Sequence, residues 1–163
     1  MNGSVKPVIG KMRYSSFQDE MEFQKENGDT LILMNKNNLD SIYLDNNRFL
    51  YMIFIKDKTI SSGFFVQLTN GESKLFKKIR KSYQEEKHPA TSFEMYVPAA
   101  FVKEPDEFYV SFDDQPLLEI PRRNKKIKEI FSENGYANRE MSRVKYEEES
   151  LVIFFRGLNK LSK

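Results

Sequence analysis

The sequence predicts an α+β protein that is mainly β, an antiparallel hairpin-built sheet or partly open barrel with a short helical element at its carboxyl end. Three observations predict it. Apolar and polar side chains alternate with period two through residues 12–120, the pattern of half-buried strands. The alternation breaks at clusters of Asn, Asp and Gly suited to tight turns. From Asn124 onward the apolar spacing becomes helical. The expected division is an antiparallel β domain over residues 1–121 and a helical tail over residues 122–163 packed on it around a single core.

The elements follow in order. Met21 and Phe23 face one way and Glu20, Glu22 and Gln24 the other, after which Glu26-Asn27-Gly28-Asp29 reverses the chain into residues 31–34. Asn-Gly suits that turn because both central residues of a tight hairpin turn take positive φ. Asp45-Asn46-Asn47-Arg48 forms a second reversal, from Ile42 and Leu44 into Phe49, Tyr51, Ile53 and Ile55. Residues 49–55 are apolar on both faces, which predicts a central strand covered on each side. Asn70-Gly71 separates Phe64, Val66 and Leu68 from a stretch at 75–83 in which lysines and arginine fall on both faces. Charge on both faces protects a strand edge, so this stretch is expected at an edge or projecting beyond the sheet. Residues 84–100, with Pro89 and Pro98, read as a long surface excursion. Phe108, Val110 and Phe112 then alternate up to Asp113-Asp114-Gln115-Pro116, which turns the chain into residues 117–120, and Pro121 ends the β region. Asn124 caps a helix bearing Ile127, Ile130 and Phe131, and Gly135 closes it. A second helix begins near Tyr146, with Glu147, Glu148 and Glu149 in its first turn and Leu151, Phe154, Phe155 and Leu158 on its apolar face.

Composition narrows the chemistry. The 163 residues suit one domain, and fourteen Phe and eight Tyr supply large buried areas from few positions. The 26 basic and 24 acidic side chains leave a net charge of +2, so an electrostatic function has to be local. The absence of Cys excludes disulfides, thiolate nucleophiles and Cys-based zinc sites. No apolar run approaches the roughly 18 residues that span a bilayer, so no integral membrane segment is expected. Met1-Asn2-Gly3-Ser4-Val5 lacks a secretory start, which leaves either a cytoplasmic chain or one whose export signal was trimmed away.

Several of these segments resemble, in order, an uncharacterised exported β-rich protein family of Bacteroidetes-type bacteria. The similar residues are the hairpin around Gly71 leading into Lys77-Lys78-Ile79-Arg80-Lys81, then Pro89-Ala90, Pro98-Ala99-Ala100-Phe101 and Phe108-Tyr109-Val110. They continue with Leu118-Glu119-Ile120-Pro121-Arg122-Arg123-Asn124-Lys125-Lys126 and the closing helix with Phe154-Phe155. The resemblance covers roughly residues 60 to 161. It implies an export signal and a periplasmic or exported location, and it implies no reaction.

No catalytic residue and no cofactor is expected. His88, the single histidine, stands beside Pro89 without a signature nucleophile and reads as a surface residue. Glu20 with Glu22, Glu85 with Glu86 and Asp113 with Asp114 would serve glycoside hydrolysis if two carboxyls met across a cleft, but Asp113-Asp114 is more simply turn chemistry. Asp45 with Asn47 recapitulates the start of a calcium loop without its Gly and later Glu, so no metal site is expected. None of the seven Gly residues builds a phosphate cradle.

Two basic clusters remain. Lys74, Lys77, Lys78, Arg80 and Lys81 form one, and Arg122, Arg123, Lys125, Lys126 and Lys128 the other. The anion-binding candidates are Lys77, Lys78, Arg80, Lys81, Arg122, Arg123, Lys125 and Lys126, with Phe76 and Tyr83 available for stacking if the fold merges the clusters. The plainer view is edge protection and a solvated helix face. The expected function is a non-enzymatic binding or interaction module of the cell envelope, meeting another protein or an envelope component rather than nucleic acid. The alternatives are a carboxylate-based hydrolase and an anionic-ligand or nucleic-acid binder.

Overall fold

The structure, a computed structural model, describes residues 11–25, 27–33, 36, 39–91, 93–112, 115–133, 135 and 144–161, with the side chains of Asn124 and Leu161 excepted. The described chain is mainly β with antiparallel sheets, a closed five-stranded barrel and carboxyl-terminal helices. Its strands are β1 Lys11–Ser15, β2 Glu20–Gln24, β3 Thr30–Ile32, β4 Ile42–Leu44, β5 Asn47–Lys56 and β6 Thr59–Gln67. They continue with β7 Ser73–Lys78, β8 Lys81–Gln84, β9 Ala100–Lys103, β10 Glu107–Phe112 and β11 Leu117–Glu119, and the helices are α1 Asn124–Glu133 and α2 Glu148–Leu161. Among the described residues no helix is long and apolar enough to cross a membrane.

The barrel runs β5, β6, β7, β10, β11 and back to β5. Each neighbour along that path is antiparallel, so the first and fifth strands point the same way and the closing seam is necessarily parallel. Leu117 lies beside Phe54 and Leu118 beside Ile55 at that seam. β4 occupies the other half of the same edge, with Ile42 opposite Phe49.

Alternation sorts each strand between two faces. The inward set, Phe54, Phe65, Phe76, Tyr109 and Leu117, fills the barrel with Leu50 and Met52. A barrel of so few strands has room for side chains only. Phe65 and Tyr109 meet edge to face at 5.0 Å, and Phe54 meets Phe65 at 5.2 Å. The outward set splits. Phe49, Phe64 and Val66 are covered through Met21 and Tyr14 by the separate sheet β1-β2-β3. Leu75, Phe108, Val110 and Phe112 are covered by Ile127 and Phe131 of α1 and by Leu151, Phe155 and Leu158 of α2. Asn159 fastens α2 to the β6–β7 turn: its amide donates to Asn70 O and Ser73 O, and its Oδ1 accepts from Ser73 N–H.

Residues 49–55 do lie inside a sheet with both faces engaged, although Ile53 is 55 % exposed. The edge assignment for residues 75–83 is corrected in its first half. β7 is an internal strand between β6 and β10, because Lys77 reaches Glu148 of α2 and Lys78 turns inward onto a carboxylate, so neither lysine has to face water. The second half, β8, does project. Among the described residues of the first turn only Gly28 takes positive φ, and Lys25 N–H donates to Asp29 O across a wider loop than a two-residue turn. Asp57 and Lys58, both at positive φ, make the tight β5–β6 hairpin, which the sequence pattern does not mark. Residue 34 of the first hairpin, Asp113-Asp114 and the capping side chain of Asn124 lie outside the described residues, as do Glu26 and residues 1–10.

Candidate functional site

Titratable groups gather at one rim of the barrel. Lys56, Lys78, Glu107 and Glu119 follow the inward-facing positions of β5, β7, β10 and β11, so they converge where the apolar filling ends. Lys78 and Glu107 are cross-strand partners. The Lys78 side chain is 3 % exposed, its ammonium 2.5 Å from Asp19 Oδ2 and 4.6 Å from the centre of the Phe65 ring. It also donates to Phe64 O at 3.0 Å. Asp19 sits at φ 58 in the β1–β2 turn and accepts from the Tyr14 hydroxyl at 2.6 Å and from Phe64 N–H at 3.3 Å. Gly63 permits this arrangement, since a Cβ there would run into the Asp19 carboxylate and the Lys78 ammonium.

The electrostatics follow from burial. Burial pushes the Lys78 ammonium below the usual lysine range, against the pull of Asp19. Burial and the neighbouring Asp19 charge push the Tyr14 hydroxyl up, and burial with the Glu107 and Glu119 charges does the same to Tyr109. Burial pushes the Glu107 carboxyl up too, but the Lys56 hydrogen bond, the charges of Arg80 and Lys56 and the Tyr109 hydroxyl outweigh it and hold Glu107 low. A depressed carboxyl contributes stability above its unfolded pKa, roughly 4.3, and that contribution is lost as pH falls through the folded value. Glu107→Gln is therefore expected to flatten the acid limb of stability between neutral pH and about pH 3. Urea unfolding across that range checks it, and an unchanged limb would contradict the assignment. At this rim the ammonium groups of Lys56 and Lys78 are each paired with a carboxylate, Glu107 and Asp19, which makes it a charge-matched polar plug.

An open groove of about 520 Å³ lies beside this plug, lined by Arg13, Tyr14, Ser15, Ser16, Phe17, Gln18, Glu22, Lys81 and Phe101. Pairing between β7 and β10 stops at Lys78 and Glu107, Glu104 N–H donates to Arg80 O, and pairing resumes in β8 and β9. The hairpin thus runs on past the barrel as a two-stranded arm, extended to a bridge between Lys87 and Val97. Lys81 N–H ties the arm's base to Ser16 O. Across the arm Tyr83 faces Phe101, their rings 5.5 Å apart, and Phe17 from the β1–β2 turn meets Phe101 at 5.0 Å. All three rings are more than half exposed. At the tip Phe93 and Met95 stand free in solvent, 97 % and 86 % exposed.

The basic candidates do not form one surface. Lys78 is withdrawn into the barrel rim and unavailable to an outside anion. Lys77 holds Glu148 at 2.7 Å, and Arg80 lies 3.5 Å from Glu107. Phe76, one of the two rings offered for stacking, is buried in the barrel, whereas Tyr83 is exposed on the arm opposite Phe101. Arg122 lies over the Tyr146 ring at 5.6 Å, in a second groove of about 350 Å³ that includes Asp106, Glu147 and Glu148. Arg123, Lys125 and Lys126 are exposed at the start of α1. The clusters approach each other at the start of α2, where acids share the space. Lys81 alone of the eight lines the aromatic groove.

The acidic pairs are likewise dispersed. Glu20 is paired with Lys36 and Glu22 with Arg13, each at 2.5 Å, and Glu85 and Glu86 are exposed on the arm. His88 sits near the arm tip, 75 % exposed, 3.7 Å from Glu86 and against the Tyr96 ring. Among the described residues no group of three His, Asp or Glu stands close enough to hold a metal ion. Arg13, Phe17, Asp19 and Gly63 carry the two sites and went unmarked in the sequence, because each belongs to a contact between distant segments with no local pattern. No family model, no curated protein and no solved structure matches the chain.

Proposed function

We propose that this protein is a non-enzymatic binding module of the cell envelope and that it binds through the groove at the base of the β8–β9 arm. One observation carries the proposal: Phe17, Tyr83 and Phe101 form a contiguous cluster of rings, each more than half exposed, of which Phe17 and Phe101 line an open groove and Tyr83 continues the cluster along the arm. Aromatic surface left in water costs free energy, and contiguous exposed patches of it mark interaction sites. A two-stranded arm is also marginal by itself, so contact with a partner would complete it. The resemblance over roughly residues 60 to 161 supports the envelope placement.

The hydrolase alternative has less support, because in the acid-bearing second groove Glu148 is tied to Lys77 and Asp106 to Lys103. The merged-patch alternative has less as well, with Lys78 buried and Lys77 neutralised. A photo-crosslinking phenylalanine analogue at position 101, incorporated in the native cells, is expected to give an adduct. The same analogue at position 60, 73 % exposed on the β5–β6 hairpin, is expected to give none. Absence of an adduct at 101, or the same adducts from both positions, would defeat the proposal.

A further inference from the structure

We infer that the arm-base groove takes a polysaccharide chain, an inference that rests on the binding-module proposal above and names the chemistry of its ligand. A sugar ring presents an apolar C–H face and an edge of hydroxyls that both donate and accept. The groove answers both. Phe17 and Phe101 supply ring faces within the groove, and Tyr83 extends them along the arm. Ser15, Ser16 and Gln18 supply groups that donate and accept, Lys81 a donor, and the Arg13–Glu22 ion pair a donor beside an acceptor.

Charge decides against a polyanion. Of the cations near the rings, Arg13 is on Glu22, Lys103 is 3.2 Å from Asp106 and Arg80 is near Glu107. The lining itself carries two cations and one carboxylate, and a nucleic acid needs several phosphates neutralised at once to bind tightly. A folded protein partner would be expected to meet a broad apolar core, whereas here the apolar surface is a single strip of three rings bordered by Ser15, Ser16, Gln18 and Lys81. A linear glycan, with an apolar face and a hydroxyl edge on each residue, fits a narrow strip of rings with polar groups beside it.

The test is affinity electrophoresis of the intact chain in native gels containing, in turn, dextran, xylan, mannan, hydroxyethylcellulose or pullulan, with labelled oligo(dT) tested by anisotropy alongside. At least one glycan is expected to retard the protein, with retardation nearly independent of salt. Phe101→Ala is expected to weaken it about tenfold, on the scale of one lost ring contact. Lys125→Glu, an exposed α1 position outside the groove's lining, is expected to leave it unchanged, and thermal melts confirm that each variant is folded. Retardation by none of the five glycans, or retardation indifferent to Phe101→Ala, overturns the inference. So does oligo(dT) binding that weakens steeply with salt and requires Phe101. The crosslink at position 101 separates the two levels of failure. A discrete protein adduct there sinks the glycan and keeps the binding module, a heterogeneous carbohydrate-bearing adduct supports both, and no adduct sinks both.

Discussion

Phe65→Ala is expected to cost the fold about 3–5 kcal/mol, the usual range for removing a fully buried aromatic ring. The ring is at the centre of the barrel, 0 % exposed, with Phe54 and Tyr109 set edge to face against it and the Lys78 ammonium over its own face. Those neighbours come from three other strands of a closed barrel, so they cannot collapse into the vacated space without breaking pairings. Phe65→Leu should recover most of the loss, leaving the cation–ring and ring–ring contacts unmade. Ile60→Ala, at a position 73 % exposed, should change stability by no more than about 0.5 kcal/mol. Chemical denaturation of the three variants checks this, and a Phe65→Ala cost no larger than that of Ile60→Ala would mean the barrel interior is wrongly placed.

Removing the charge of Asp19 should be the next most damaging change. Asp19→Asn keeps a residue tolerant of φ 58 and leaves an oxygen for Phe64 N–H, so it isolates the charge. It strands the Lys78 ammonium in a site that is 3 % exposed. Breaking such a pair from one side typically costs about 3–5 kcal/mol. Asp19 is itself 30 % exposed, and Lys78 can release its proton, so a loss on the order of 2 kcal/mol is expected. Lys78→Met should cost less than about 1 kcal/mol, because a buried ion is exchanged for an apolar chain of similar length and Asp19 keeps Tyr14 as a partner. The double variant should then be no less stable than Asp19→Asn alone. Urea unfolding of this cycle measures the coupling, and strict additivity would show that the two groups do not depend on each other.

How legible this molecule is in its sequence varied with the range of the interaction. Asp45-Asn46 and Asn70-Gly71 announce their hairpins because left-handed backbone favours those residue types, and Gly135 ends α1 at φ 83 for the same reason. Asp57-Lys58 adopts the same left-handed pair without the signal, since the pairing on either side imposes it. Alternation correctly put Phe76 and Lys78 on one face and Leu75 and Lys77 on the other. It could not say that both faces of β7 would be covered, because the covering comes from α2 on one side and from Asp19, far back in the chain, on the other. Lys77 and Lys78 looked like guards of an exposed edge and turned out to be matched to Glu148 and Asp19. The candidate groove shows the same limit: Lys81 and Tyr83 stood out as a basic and aromatic run, while Phe17 and Phe101 are brought to them by the β1–β2 turn and by the register of the arm.

The parallel seam between β5 and β11 also governs how this chain has to fold. Phe54 and Ile55 wait for Leu117 and Leu118, about sixty residues later, before the last open strand is sealed. Until the ribosome has released that segment, the nascent meander has unsatisfied backbone along β5 and an apolar filling that water can enter. The slow step of maturation should therefore be a single late zippering near the carboxyl end, and a chain terminated before residue 117 would be left with a sticky, unclosed sheet in place of a barrel.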